Sequence, residues 1–242
     1  DDPALDEARP LLDLGPGLGG VGTGVVARPE DLGDRALVLE LLLPDLGDGD
    51  VGAPRLVEAQ PQDDAGEGTV GVKAGKVREF GRLSGTGETE AIAVDDELGH
   101  VYYADEGDGI HKWHADPEHP RAATQLAHFG KDGFKGDREG IAIYTLGKGA
   151  GYILCTDQLD GNSEYRVYRR EGKAGNPHDH SEVVTVFRGG ADGTDGLEAT
   201  STALGSRFPH GLVIAMNSAG RNFLVYDWAD VVRASGNTLK NR

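Results

Sequence analysis

The chain has 242 residues, with 41 acidic against 24 basic side chains, and so a net charge of −17 at neutral pH. A surplus of that size repels phosphate backbones and anionic lipid surfaces, which argues against a nucleic-acid or membrane partner. No apolar run approaches the roughly 20 residues of a membrane span. The 38 glycines, over twice the usual share of roughly 7%, show no Gly-X-Y period, so collagen is excluded. The length allows one large domain or two small ones, either able to bury a core, and we read residues 1–242 as a single unit. Its acidity then serves solubility, or gathers carboxylates around hard cations such as calcium.

In chain order, residues 1–71 are the least readable part. No aromatic residue occurs before Phe80 and no lysine before Lys73. Residues 24–27 and 36–43 are strand-like, although the second run also fits a short helix. Residues 60–71, rich in Gly, Asp and Gln, read as a loop.

From Phe80 onward, short β-rich runs alternate with Gly, Asp and Asn, and they repeat. Glu90–Val94, Gly99–Asp105 and Ile110–Trp113 form one unit. Glu139–Tyr144, Gly151–Asp157 and Tyr165–Tyr168 form the next, followed by Glu198–Ser201, Gly211–Asn217 and Phe223–Tyr226. The leading glutamates are 49 and 59 residues apart. Three strands in a unit of about 40–50 residues is the pattern of propeller blades, with the first strand innermost and the aromatic-bearing strand outside. Helical periodicity is absent, so the expected class is all-β. The one cysteine, Cys155, lies in an apolar run. It is expected as a buried thiol, with no disulfide possible within the chain.

Carboxylates recur at matching places in the repeat. Asp137 and Glu139 are two apart in a first strand and should share a face, with Arg138 opposite. Glu90 holds the same place one unit earlier. Asp105-Glu106 and Asp157-Gln158 close second strands, and Asp192 and Asp195 precede the third unit. First strands line a propeller's channel, so these groups should converge there. Converging carboxylates with no lysine among them call for a divalent cation. Asp48, Asp50, Asp108 and Asp160 instead sit in Asp-Gly turns or beside them, where they cap their own backbone. His111 and His114 lie three apart on a strand, hence on opposite faces, and should not share zinc. His178 and His180 fall in a polar loop and are expected at the surface. Lys131 and Lys135, just ahead of Asp137, either help hold phosphate or are solvated.

Together these segments resemble the β-propeller phytases. The resemblance rests on Lys76–Phe80, Glu88–Glu106, Asp137–Tyr144, Gln158–Tyr165, Asp192–Gly196 and Arg221–Trp228, and it runs through residues 72–233, where the blade repeats are clear. Asp1-Asp2-Pro3-Ala4 is similar to the family's paired-aspartate motif. The resemblance implies a six-bladed propeller with several calcium ions in and around its channel, acting on phytate, usually as a calcium complex. It implies Glu90, Glu106, Asp137 and Glu139 as calcium-bridging catalytic carboxylates, with Gln158 as their amide partner. Asp192, Asp195, Asp1 and Asp2 would be further metal ligands. The implied chemistry is attack on a phosphomonoester by metal-activated water, in keeping with the absence of a Gly-x-Ser-x-Gly nucleophile motif. Family likeness further implies a monomeric protein, secreted or periplasmic, whose leader has been removed.

Six blades would need roughly 270–300 residues, so the N-terminal blades are expected to be shortened or incomplete. Residues 5–71 hold only Arg9, Arg28, Arg35 and Arg55 as basic residues, none matching the family's phosphate-holding motifs. Two other readings compete: a calcium propeller hydrolase of the lactonase or esterase type, and a non-catalytic, calcium-stabilised binding propeller.

Overall fold

The computed structural model describes residues 36–38, 55–62 and 71–242, with side chains from Arg78 onward. Consecutive strands pair antiparallel in four meanders, each following the chain order. The first comprises β1 (Ala36–Val38), β2 (Arg55–Gln62) and β3 (Gly71–Glu79). The second comprises β4 (Ala91–Asp95), β5 (His100–Asp105), β6 (Gly109–His114) and β7 (Ala127–Phe129). The third is β8 (Asp137–Gly147), β9 (Ala150–Gln158), β10 (Glu164–Arg169) and β11 (Val183–Arg188). The fourth is β12 (Leu197–Thr200), β13 (Leu212–Asn217) and β14 (Asn222–Asp227), followed by helix α1 (Trp228–Ala234).

Turn chemistry explains the hairpins. Lys148 and Gly149, between β8 and β9, both have positive φ (54° and 77°), as a tight two-residue hairpin turn requires. At the β4–β5 turn, Asp95 Oδ1 accepts the Leu98 N–H at 3.0 Å. Between these turns the sheets stack face to face, and side chains alternate between the two faces of each strand. On β5, Val101 and Tyr103 join Phe80 and Trp113, whereas Tyr102 and Ala104 point into the layer shared with the third meander. On β9, Ile153 and Cys155 face that same layer, and Tyr152 and Leu154 face the fourth meander. Middle strands covered on both faces read as nearly continuous apolar runs. Cys155 is fully buried, as expected, and burial raises its thiol pKa.

The first strands of successive meanders lie side by side, with β8 against both β4 and β12. Gly140 permits this closeness: a Cβ there would stand 2.5 Å from Leu197 Cβ and 2.6 Å from its backbone nitrogen.

The all-β expectation holds, with three differences. The second and third meanders gain fourth strands, β7 and β11. β7 has only three residues, and β11 is a half-exposed edge strand that lies outside the three-strand repeat. Gln60–Gln62, expected in a loop, belong to β2. Pro61 is tolerated there because β1 pairs only with Val57–Ala59, leaving Pro61 with a strand on one side. Helix α1 was not expected, since seven residues are too few to reveal a period. Asp227 caps it by accepting the Ala229 N–H at 3.0 Å, and Trp228, Val231 and Val232 bury one face. Ala36–Val38 is extended, as one reading of residues 36–43 had it. Residues 24–27 and the aspartates Asp1, Asp2, Asp48 and Asp50 lie outside the described residues.

Candidate functional site

Second strands end in a polar residue that clasps the loop leading to a neighbouring first strand. Asp105 accepts the Ser84 hydroxyl at 2.8 Å and the Ser84 and Gly107 backbone N–H groups at 2.5 and 3.0 Å. Asp157 accepts the N–H groups of Lys135 and Gly136, and Asn217 Oδ1 accepts that of Asp192 at 3.0 Å. These clasps fix where the residues just before β4, β8 and β12 stand.

Three glutamates meet on this frame. Glu90 immediately precedes β4, Glu106 follows β5, and Glu139 lies on β8, where the pairing with β9 is bulged between Arg138 and Ile141. One carboxylate oxygen from each lies within 4.8 Å of the others. Arg138 orders the group from behind. Its guanidinium donates to the carbonyls of Gly130 (2.8 Å), Lys131 (2.6 Å) and Glu106, tying the β5–β6 turn to β8. Glu106 is further held by the Glu88 N–H, which donates to its Oε2 at 2.8 Å.

Glu139 is 3% exposed, and its Oε2 has no hydrogen-bond partner. Burial, and then the adjacent Glu90 and Glu106, hold its carboxyl well above the usual carboxylate range. Glu90 is exposed, so the cluster opens to solvent on that side. Gln158 and Asp195 form a second pair, the amide donating to Asp195 Oδ1. Burial and the Glu90 charge raise the Asp195 pKa, and Gln158 works against that rise. Asp195 therefore feels the charge of one member of the glutamate cluster, Glu90.

The other expected ligands are placed differently. Asp137 is exposed, opposite Gln158 in the register, and outside the three-glutamate group. The bulge at Glu139 interrupts the alternation that would have put the two side by side. Asp192 accepts the Gly161 N–H and thereby holds the β9–β10 loop. Lys135 is bound to Glu164 at 2.6 Å rather than left free for phosphate, and the Lys131 carbonyl serves Arg138.

The histidines need one correction. His111 and His114 do diverge, His111 stacking on Tyr103 and His128, and His114 on His119. His180, however, is buried at 2% exposure, and His178 is half-buried. The His180 Nδ1–H donates to the Arg169 carbonyl at 2.8 Å, and Nε2 faces the buried Lys112 Nζ at 3.1 Å. The loop after β10 folds back over Lys112, which its Gly- and Pro-flanked polar composition did not reveal.

Arg138 and the Asp105 clasp were missed as site-forming groups. The clasp leaves a signal in the aligned repeats, because Asp105, Asp157 and Asn217 all stand at the ends of second strands. Arg138 leaves none, since its partners are backbone carbonyls.

The family model described as Phytase matches residues 57–239 of the chain. A protein of Bacillus subtilis (strain 168) named 3-phytase is 31% identical over 183 residues, which make up 72% of this chain and 46% of that protein. The chain therefore spans about half the length of this curated relative.

Proposed function

The chain belongs to the phytase family, and on that footing we propose that it hydrolyses the phosphomonoesters of phytate, using calcium held at the three-glutamate cluster. The observation that carries this reading is Glu139, a buried carboxylate with an unpartnered oxygen between Glu90 and Glu106. Burying an unpaired carboxylate among like charges is costly. A hard divalent cation removes that cost, and the all-oxygen donor set fits calcium, which takes six to eight oxygens. Glu90, Glu106 and Glu139 would hold the ion, with Gln158 and Asp195 adjoining. Asp137, Asp192 and, by resemblance, Asp1 and Asp2 would serve further ions. When bound, calcium supplies phosphate charge neutralisation and an activated water.

The protein's own groups do the positioning. Arg138 and the Asp105 clasp fasten the backbone beside Glu106 and Glu139 through hydrogen bonds within the protein, so the site is preorganised. Without the ion, the Glu139 carboxyl keeps its proton, which it must release on loading. Exposed Glu90 leaves a solvent-facing side for a phosphorylated substrate to approach.

The side-by-side first strands support a ring of blades, with β4, β8 and β12 turned toward a central channel. An exported monomer acting on calcium-complexed phytate suits this arrangement.

Phosphate release from phytate, assayed with calcium and again with a chelator, tests the proposal. We expect calcium-dependent release, and none from folded, calcium-loaded protein would overturn it. A lactonase- or esterase-like enzyme with one catalytic calcium, or a non-catalytic binding propeller, would give that null result.

A further inference from the structure

A second cluster lies on the same meander but has different donors. Asp108 sits in the β5–β6 turn, as expected of an Asp-Gly pair, yet its carboxylate also turns toward two imidazoles. His111 on β6 and His128 on β7 are direct partners in the strand register. Asp108 Oδ2 lies 3.7 Å from His111 Nε2 and 3.2 Å from His128 Nε2, and the three ligand atoms all lie within 4.8 Å of one another. Gly109 makes room for this approach, because a Cβ there would come within 3.2 Å of His128 Nε2.

The His111 side chain is 6% exposed, and neither of its ring nitrogens has a hydrogen bond of normal geometry, the Gln125 side chain being a polar neighbour besides Asp108 and His128. Such a ring, lining a cleft of mixed polar and apolar character, lacks what buried polar groups normally have. The cleft has a volume of about 490 Å³ and is also lined by Phe80, Leu83, Trp113 and Gln125.

We propose that Asp108, His111 and His128 bind a divalent transition-metal ion of the zinc class, separate from the calcium cluster. Two imidazoles and one carboxylate favour zinc over calcium, which prefers all-oxygen sets. Three protein ligands with an adjoining cleft leave a fourth position for water or a small anion. Binding requires His128 to present Nε2 as a lone pair. That nitrogen lies 3.1 Å from the Asp108 carbonyl, so its proton moves to Nδ1 as the metal enters. The ion would join the short edge strand β7 to β6 and to the turn that also carries Glu106.

Zinc titration calorimetry on chelator-stripped protein, then returned to excess calcium, tests the site. Cobalt absorption serves as the spectroscopic signature of the ligand set. We expect one zinc per chain. His128→Gln and Asp108→Asn, both at partly exposed positions, should each weaken binding by more than about 100-fold, the upper end of the loss from removing even an outer-shell partner. The calcium-induced rise in Tm should be unchanged in both variants, which establishes that they fold. No stoichiometric zinc uptake by the parent protein, or either variant binding zinc as tightly as the parent, would overturn the proposal. Neither result depends on phytate turnover.

Discussion

Glu139 is a carboxyl group whose surroundings disfavour its charge: it is buried, and two other glutamates stand beside it. Its folded pKa is raised above the ordinary value of 4.5, so the folded chain binds more protons than the unfolded chain from there upward. Without calcium, the contribution of Glu139 to stability therefore falls as pH rises above about 4.5. Glu139→Gln keeps the shape of the protonated acid and removes the titration. We expect the variant to flatten that slope in chelator, and to lose both the calcium-induced rise in Tm and phytate hydrolysis. Thermal melts across pH, with chelator and with calcium, check both effects. Glu139→Lys should also abolish activity, by placing a fixed cation where calcium would sit.

At the scale of elements, adjacent meanders are joined by close backbone approach and by buried ion pairs. Gly140→Ala would push β8 away from Leu197 on β12. Overpacking of this kind costs about 1–3 kcal/mol, and here it also moves the neighbouring Glu139. A lowered urea midpoint together with reduced activity is the expected outcome. The Arg170 guanidinium makes a two-pronged pair with Asp95 and reaches Glu97 at 2.8 Å, linking the end of β10 to the β4–β5 turn. The Arg170 and Asp95 side chains are each 1% exposed. Arg170→Met leaves Asp95 buried and unpaired, which costs about 3–5 kcal/mol. Equilibrium unfolding should show that loss without a change in the carboxylate cluster.

Across the whole molecule, pH acts from the acid side through buried imidazoles. Burial, and then Lys112, push His100 down to about 3 and His180 down to about 4, from an ordinary 6.5. A histidine held neutral in the fold contributes stability that is complete above about 6.5 and is lost as pH falls toward the folded values. The Tm should therefore decline below about pH 6.5, and His180→Gln should flatten part of that decline. Calcium at the proposed cluster would suppress the alkaline loss caused by Glu139 and leave the acid limb. The calcium-loaded protein is thus expected to be most stable above about pH 6.5.

Much of the fold is legible along the chain. Runs such as Gly99–Asp105 and Gly151–Asp157 declare themselves as strands because alternation and turn residues are local properties, and their recurrence reveals the repeat. Strand β7 and helix α1 escape this reading, being too short to show a period, and β11 escapes it because it has no counterpart in the three-strand repeat. The site is legible only in its membership. Glu90, Glu106 and Glu139 stand out by position in the repeat, as does the Gln158–Asp195 pair. Which of them touch depends on the bulge at Glu139 and on Arg138 fastening the β5–β6 turn, and neither is encoded in spacing. The same holds for Asp108, His111 and His128, which are unremarkable along the chain and become neighbours when β7 folds beside β6. The sequence by itself determined an acidic all-β repeat of the phytase family, because charge, alternation and motif order are written in local order. Only the tertiary structure decided which carboxylates and imidazoles meet, because those meetings depend on how separate strands approach one another across and between sheets.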